Sequence, residues 1–179
     1  MVKQKKLLLR CKDDSVIIMS FVLDDGYFVK RKGTVEEIEA EIAKASSAFP
    51  QDRMPVVSWK EITDEDLPDR TYRNAWITEG GKKISHDINK AKEIHKDMLR
   101  ELRSHYLMEL DSSFLRALEN SDEEERQLIV KKKQQLRDVT LDPSIEKAKT
   151  VEDLKNLGMK PIIRIMATNP VKNIKLRKE

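Results

Sequence analysis

The chain has 179 residues, 39% of them hydrophobic and 37% charged, with a net charge of +3; this suits one domain, or a small domain with an extension, with a modest core and long solvated helices. Its single cysteine, Cys11, excludes an intrachain disulfide and fits a reducing compartment. The longest apolar run, Val16 to Leu23, is broken by Ser20 and is too short to span a bilayer, and no signal peptide is recognisable.

Lys6 to Cys11 and Ser15 to Leu23 are rich in Leu, Val, Ile and Phe, and Lys12-Asp13-Asp14 separates them as a turn, so they read as a hairpin. Asp24-Asp25-Gly26 is a second turn signal, which makes Tyr27 to Lys30 a candidate third strand. Thr34-Val35-Glu36-Glu37 is a capping box opening a helix with Val35, Ile38, Ile42 and Ala45 on one face, ended by Phe49-Pro50. Pro55 to Trp59 reads as a strand, and Thr63 to Asp66 as a helical turn stopped by Pro68. Thr71 to Thr78 reads as extended, with Gly80-Gly81 as the turn and Lys82 to Ser85 as the return strand.

From Asp87 the period changes to helical. Ala91, Ile94, Met98, Leu102, Tyr106, Leu110, Phe114 and Leu118 predict one long helix, and Leu128, Ile129, Leu136 and Val139 a second. Between them Ser121-Asp122-Glu123-Glu124 reads as a capping box, and the short connection predicts an antiparallel pair. Asp142-Pro143 and Thr150-Val151-Glu152-Asp153 open two short helices, the latter closed by Gly158. Pro161 to Met166 is an apolar run read as a final strand, and a basic tail with Pro170 follows. The fold class is therefore α+β. A small, mainly antiparallel β/α head spans 1–86, a helical hairpin 87–140, and short helices with the tail 141–179.

Charge is unevenly placed. Residues 1–12 carry Lys3, Lys5, Lys6, Arg10 and Lys12 with no acid, residues 34–67 hold nine acids and three bases, and residues 160–179 six bases and one acid. Basic ends and an acidic middle read either as solvated surface or as attachment to acidic partners, other copies of the chain, or nucleic acid. Residues 87–139, with eleven bases and twelve acids, read as a solvated hairpin held by its apolar seam.

Chemistry-bearing patterns are sparse. His95 and His105 stand ten residues apart with no ligand partner at zinc spacing, so no metal is expected, and His95 reads as a hydrogen-bonding residue on the hairpin seam. The five glycines form no phosphate loop, no nucleophile elbow occurs, and Asp13-Asp14 and Asp24-Asp25 read as turn carboxylates. No catalytic residue, cofactor or enzymatic activity is expected. Arg70 and Arg73, interleaved with Tyr72 and Trp76, admit two readings: a base-stacking site, or arginines paired with Asp64 to Asp66 and aromatics filling the core.

The run Leu67-Pro68-Asp69-Arg70-Thr71-Tyr72-Arg73-Asn74-Ala75-Trp76 resembles a segment of small proteins encoded in phage and prophage tail regions. Ala91-Lys92-Glu93-Ile94-His95-Lys96-Asp97 and Leu110-Asp111 with Phe114 and Arg116 to Glu119 are similar to their following segments. Gln134-Gln135-Leu136-Arg137-Asp138 with Asp142-Pro143 resembles an ending shared with tail-fibre assembly proteins, and Thr150 to Leu154 a further recurring segment, with Val151 in place of a proline. The likeness covers residues 67–155. It implies a non-enzymatic role in tail assembly or virion structure through protein–protein contacts. The implied partners are other tail or virion proteins or further copies of the chain, in the host cytoplasm during assembly or in the virion, with no membrane. The alternative reading is a nucleic-acid-binding accessory protein using Lys3 to Lys12, Lys172 to Lys178, Tyr72 and Trp76. The residues singled out for interaction or structure are Arg70, Tyr72, Arg73, Trp76, His95 and Arg137.

Overall fold

The computed structural model describes residues 2–46, 56–78, 83–168 and 171. The fold is α+β, and the chain divides into two compact units, Met1–Asp87 and Ile88–Glu179. The hairpin and the short helices that follow thus share one unit. The Gly80-Gly81 turn, the Phe49-Pro50 helix end and the basic run from Lys172 lie outside the described residues.

In the first unit, β1 (Lys3–Cys11), β2 (Val16–Asp24) and β3 (Val56–Ile62) form an antiparallel sheet in the order β2-β1-β3. Leu7, Leu8 and Leu9 are all buried, because β1 is central and the sheet is covered on both faces. On one face Leu7, Leu9 and Phe21 pack against Ile38 and Ile42 of α1 (Val35–Ser46). On the other, Leu8 and Ile62 pack against Trp76 and Ile84 from the short hairpin β4 (Trp76–Thr78) and β5 (Ile84–His86). Thr34 and Glu37 form the expected box: the Thr34 hydroxyl accepts from the Glu37 N–H at 3.3 Å, and the Glu37 carboxylate from the N–H groups of Thr34 and Gly33 at 3.2 and 2.6 Å. Gly33 sits at φ +73°, where a Cβ would fall 2.7 Å from Leu23 Cδ2, so the entry to α1 needs glycine.

Two expectations are corrected here. Tyr27 to Lys30 is not a strand: it touches β2 only through an Asp24–Lys30 bridge, and the third strand is β3. Thr71 to Thr78 is not extended throughout. Arg70–Ala75 is a 3-10 turn with a kink at Tyr72, begun by the Asp69 carboxylate accepting from the Thr71 N–H at 2.9 Å, and only Trp76–Thr78 is strand.

The charge asymmetry has a local explanation. Antiparallel pairing lays basic β1 beside acidic β3 and the turn after it, so Lys5 pairs with Glu61 at 2.9 Å and Lys6 with Asp64. Arg10 pairs with Asp14 at 2.6 Å.

In the second unit, α2 (Ile88–Glu119) and α3 (Glu123–Arg137) run antiparallel, as Lys133–Asp111 and the Arg103 bonds to the Leu136 and Arg137 carbonyls require. The seam differs from the expected stripe. Leu99, Tyr106, Leu110, Ser113 and Ala117 are buried with His95 and Ala91, whereas Leu102 and Leu118 are exposed. From Leu99 on, with Arg103 filling one place, the seam steps by four and three alternately, as a coiled-coil pair requires. The expected stripe stepped mostly by four and drifted off it. The cap also lies one residue later than expected. Asp122, not Ser121, accepts from the Glu125 N–H at 3.0 Å, and Ser121 takes φ +54° to make the turn.

The short helices are α4 (Pro143–Lys147), α5 (Val151–Leu157) and α6 (Lys160–Ala167). The Asp142 and Thr150 caps and the Gly158 terminus form as expected. Pro161 to Met166 is helical rather than a strand: Pro161 occupies the first turn of α6, and Ile162 and Met166, four apart, are buried on one side.

Candidate interaction site

Two features of the first unit face solvent with more organisation than their sequence announces. The first is the tip between β2 and α1. Asp24 accepts from the Gly26 N–H at 2.8 Å, with Gly26 at φ +83°. The Asp25 carboxylate then accepts three consecutive backbone N–H groups, from Tyr27 at 2.8 Å and from Phe28 and Val29 at 2.9 Å. These bonds, that of Val29 foremost, hold the Asp25 carboxyl below its ordinary pKa. The locked turn projects Tyr27 and Phe28, 88% and 96% exposed, with ring centroids 6.4 Å apart. Lys30 and Lys32 stand exposed beside them, while Arg31 folds back over the Phe21 ring and pairs with Glu41.

The lock has a pH consequence. A carboxyl with a depressed folded pKa contributes stability that is present above its unfolded value and lost as pH falls through the folded value. The amide resonances of residues 27–29 are therefore expected to titrate with a midpoint below the ordinary aspartate range, and Asp25→Ala to abolish that transition. A midpoint at the ordinary value would show that the lock is not formed.

The second feature is a cleft of about 390 Å³ along β2, with Val16, Ile18, Leu67 and Trp76 forming its apolar lining and Lys6, Arg70, Arg73 and Asn74 its polar one. The sequence singled out Arg70, Arg73 and Trp76, and the structure brings them together here. Arg70 reaches only to 4.0 Å from Asp64, an exposed contact that contributes little. Asp64 is held below its ordinary pKa by the hydrogen bond and charge of Lys6, then by Arg70. Arg73 is exposed and makes no ion pair among the described residues. No carboxylate lines the cleft.

The aromatics of the same block have a different role. Tyr72 is 2% exposed, with burial, then Asp69, raising its pKa. Trp76 is 5% exposed, and its indole N–H donates to His86 Nε2 at 3.1 Å and to the Asp69 carbonyl at 3.3 Å. Neither ring offers a free face for base stacking.

The other residues singled out lie in the second unit. His95 is buried in the seam, where desolvation lowers its pKa. The Arg137 side chain is exposed, and its backbone carbonyl, with that of Leu136, receives the Arg103 guanidinium. Sequence reasoning missed Lys132. It is buried, and its ammonium donates to the carbonyls of Ile165 at 2.6 Å, Met166 at 3.3 Å and Thr168, closing the C-terminal end of α6. Burial pushes its pKa below the ordinary lysine value. Its place three after Ile129 and four before Leu136 was the available signal.

Among the described residues no group of three or more His, Cys, Asp or Glu side chains converges as a metal site, and no helix is long and apolar enough to cross a membrane. No family model matches this chain, and no curated protein and no solved structure is detectably similar to it.

Proposed function

We propose that the chain is a non-enzymatic adaptor that docks partner proteins through its first unit, serving a bacteriophage in tail assembly or as a minor virion component. The observation that supports docking is the Tyr27–Phe28 tip. Three hydrogen bonds to one carboxylate fix the backbone that presents the two exposed rings, so binding need not order that loop. Rigid aromatic anchors of this kind dominate protein interfaces. The phage setting follows from the likeness of the Leu67–Trp76 block and the helical segments to tail-region proteins. The partners would be tail or virion proteins or further copies of the chain.

The tagged chain, purified from cells carrying the phage or prophage that encodes it, is expected to bring down a product of the same tail region in defined stoichiometry. The double variant Tyr27→Ser/Phe28→Ser is expected to lose it without loss of fold, since both rings are exposed. Undiminished recovery with that variant would remove the tip from docking. Mass spectrometry of purified particles then separates a virion component, which is present, from a chaperone, which is absent.

A further inference from the structure

The cleft beside β2 is bounded in a way that specifies what could fill it. β2 is an edge strand. One end of its outer edge is closed by β4, through the Ser15–Ile77 bridge and the Thr78 N–H to the Asp14 carbonyl at 3.2 Å. The other end is closed by the returning tip, where Arg31 N–H donates to the Leu23 carbonyl at 2.7 Å. Between these closures no described strand pairs with it.

The Ser15 carbonyl accepts from Cys11 in β1, so Ser15 faces inward. Strict alternation of an antiparallel ladder then turns the backbone N–H and C=O of Ile18 and Ser20 outward, into the cleft. The edge from Val16 to Ser20 spans about 13 Å at about 3.3 Å per residue, room for about four residues of extended chain. An open edge is a template for strand addition.

We infer that the β2 edge takes up an extended, acidic segment of a partner protein as an added strand. Its backbone would pair with Ile18 and Ser20. Every second side chain would rest on the apolar lining of Val16, Ile18, Leu67 and Trp76. Where these cleft-facing side chains are acidic, their methylenes would lie on that lining and their carboxylates would meet Arg73 and Arg70, whose guanidinium forks match carboxylate geometry. The sign of the partner is set by the lining, which holds three cations and no acid. Lys6 and Arg70 already share Asp64, so Arg73 is the cation on which the acidic segment would depend most. The site is separate in sequence from the aromatic tip and shares with the docking reading only that the ligand is a protein, so either can fail alone.

The test is titration of the ¹⁵N-labelled full chain with blocked four-residue peptides that alternate valine with glutamate, against the same peptides carrying glutamine. The acidic peptide is expected to shift and protect the amides of Ile18 and Ser20. Its affinity is expected to fall about tenfold in Arg73→Gln, the loss of one charge-assisted pair, and to weaken with salt. The fold of the variant is checked by its unchanged core resonances. Four results would overturn the proposal: no change at Ile18 and Ser20, equal binding of the glutamine peptide, the same shifts from inorganic phosphate alone, or tighter competition by a single-stranded oligonucleotide, which would assign the cleft to nucleic acid.

Discussion

Trp76→Ala is expected to destabilise the first unit by about 3–5 kcal/mol, the usual cost of removing a large buried aromatic. The ring is 5% exposed and packs with Leu8, Ile62 and Ile84 beneath the sheet, so its loss opens a large part of the cover over that face of Leu8. It also removes the N–H that joins the Arg70–Ala75 turn, through Asp69, to His86 on β5. Trp76→Phe, which keeps most of the ring but loses the N–H, is expected to cost about 1–2 kcal/mol. Both tryptophans, Trp59 and Trp76, lie in the first unit, so Trp59 fluorescence during urea unfolding reports on that unit in the variant. A loss below about 1 kcal/mol would mean that Trp76 does not fill the core.

Lys132→Met is expected to cost the second unit about 2–4 kcal/mol, although it replaces a buried charge with an apolar chain of similar length. The Ile165, Met166 and Thr168 carbonyls that end α6 take hydrogen bonds from this one ammonium, and methionine supplies no donor. The carbonyl dipoles at a helix C-terminus also favour a cation there. Urea unfolding followed by the helical circular dichroism signal measures the loss. A stabilised variant would show that the desolvation of Lys132 outweighs its three bonds.

The two residues mark what was legible. Trp76 was readable as a core residue because it precedes a turn signal in a chain with few aromatics. Leu7-Leu8-Leu9, the Thr34 and Thr150 caps and the Asp142-Pro143 start are local patterns, and local patterns survive into the structure. Lys132 was legible only through its place on the Ile129–Leu136 face, since a lysine in a charged helix otherwise looks like solvated surface. The Asp25 lock looked like any Asp-Asp-Gly turn, because one carboxylate binding three amides is a matter of loop geometry and not of residue type. The α2 seam was misassigned in part for a similar reason, although Ala91, Tyr106 and Leu110 are buried as expected. Apolar bulk drew the stripe to Leu102 and Leu118, while the close approach of α3 selects the small Ser113 and Ala117. The cationic cleft was half legible: Arg70 and Arg73 stood out, but Lys6 and the β2 edge join them only through the sheet.

Docking through the first unit is tested most directly by a photo-reactive amino acid placed at position 28 of the full chain and irradiated in cells carrying the encoding phage or prophage. Mass spectrometry of the adducts identifies what touches the tip. The account predicts one dominant protein adduct from the tail region, lost when Asp25→Ala releases the turn. Cross-links to nucleic acid, or no adduct above that of the same probe at the exposed position 124 on α3, would contradict it.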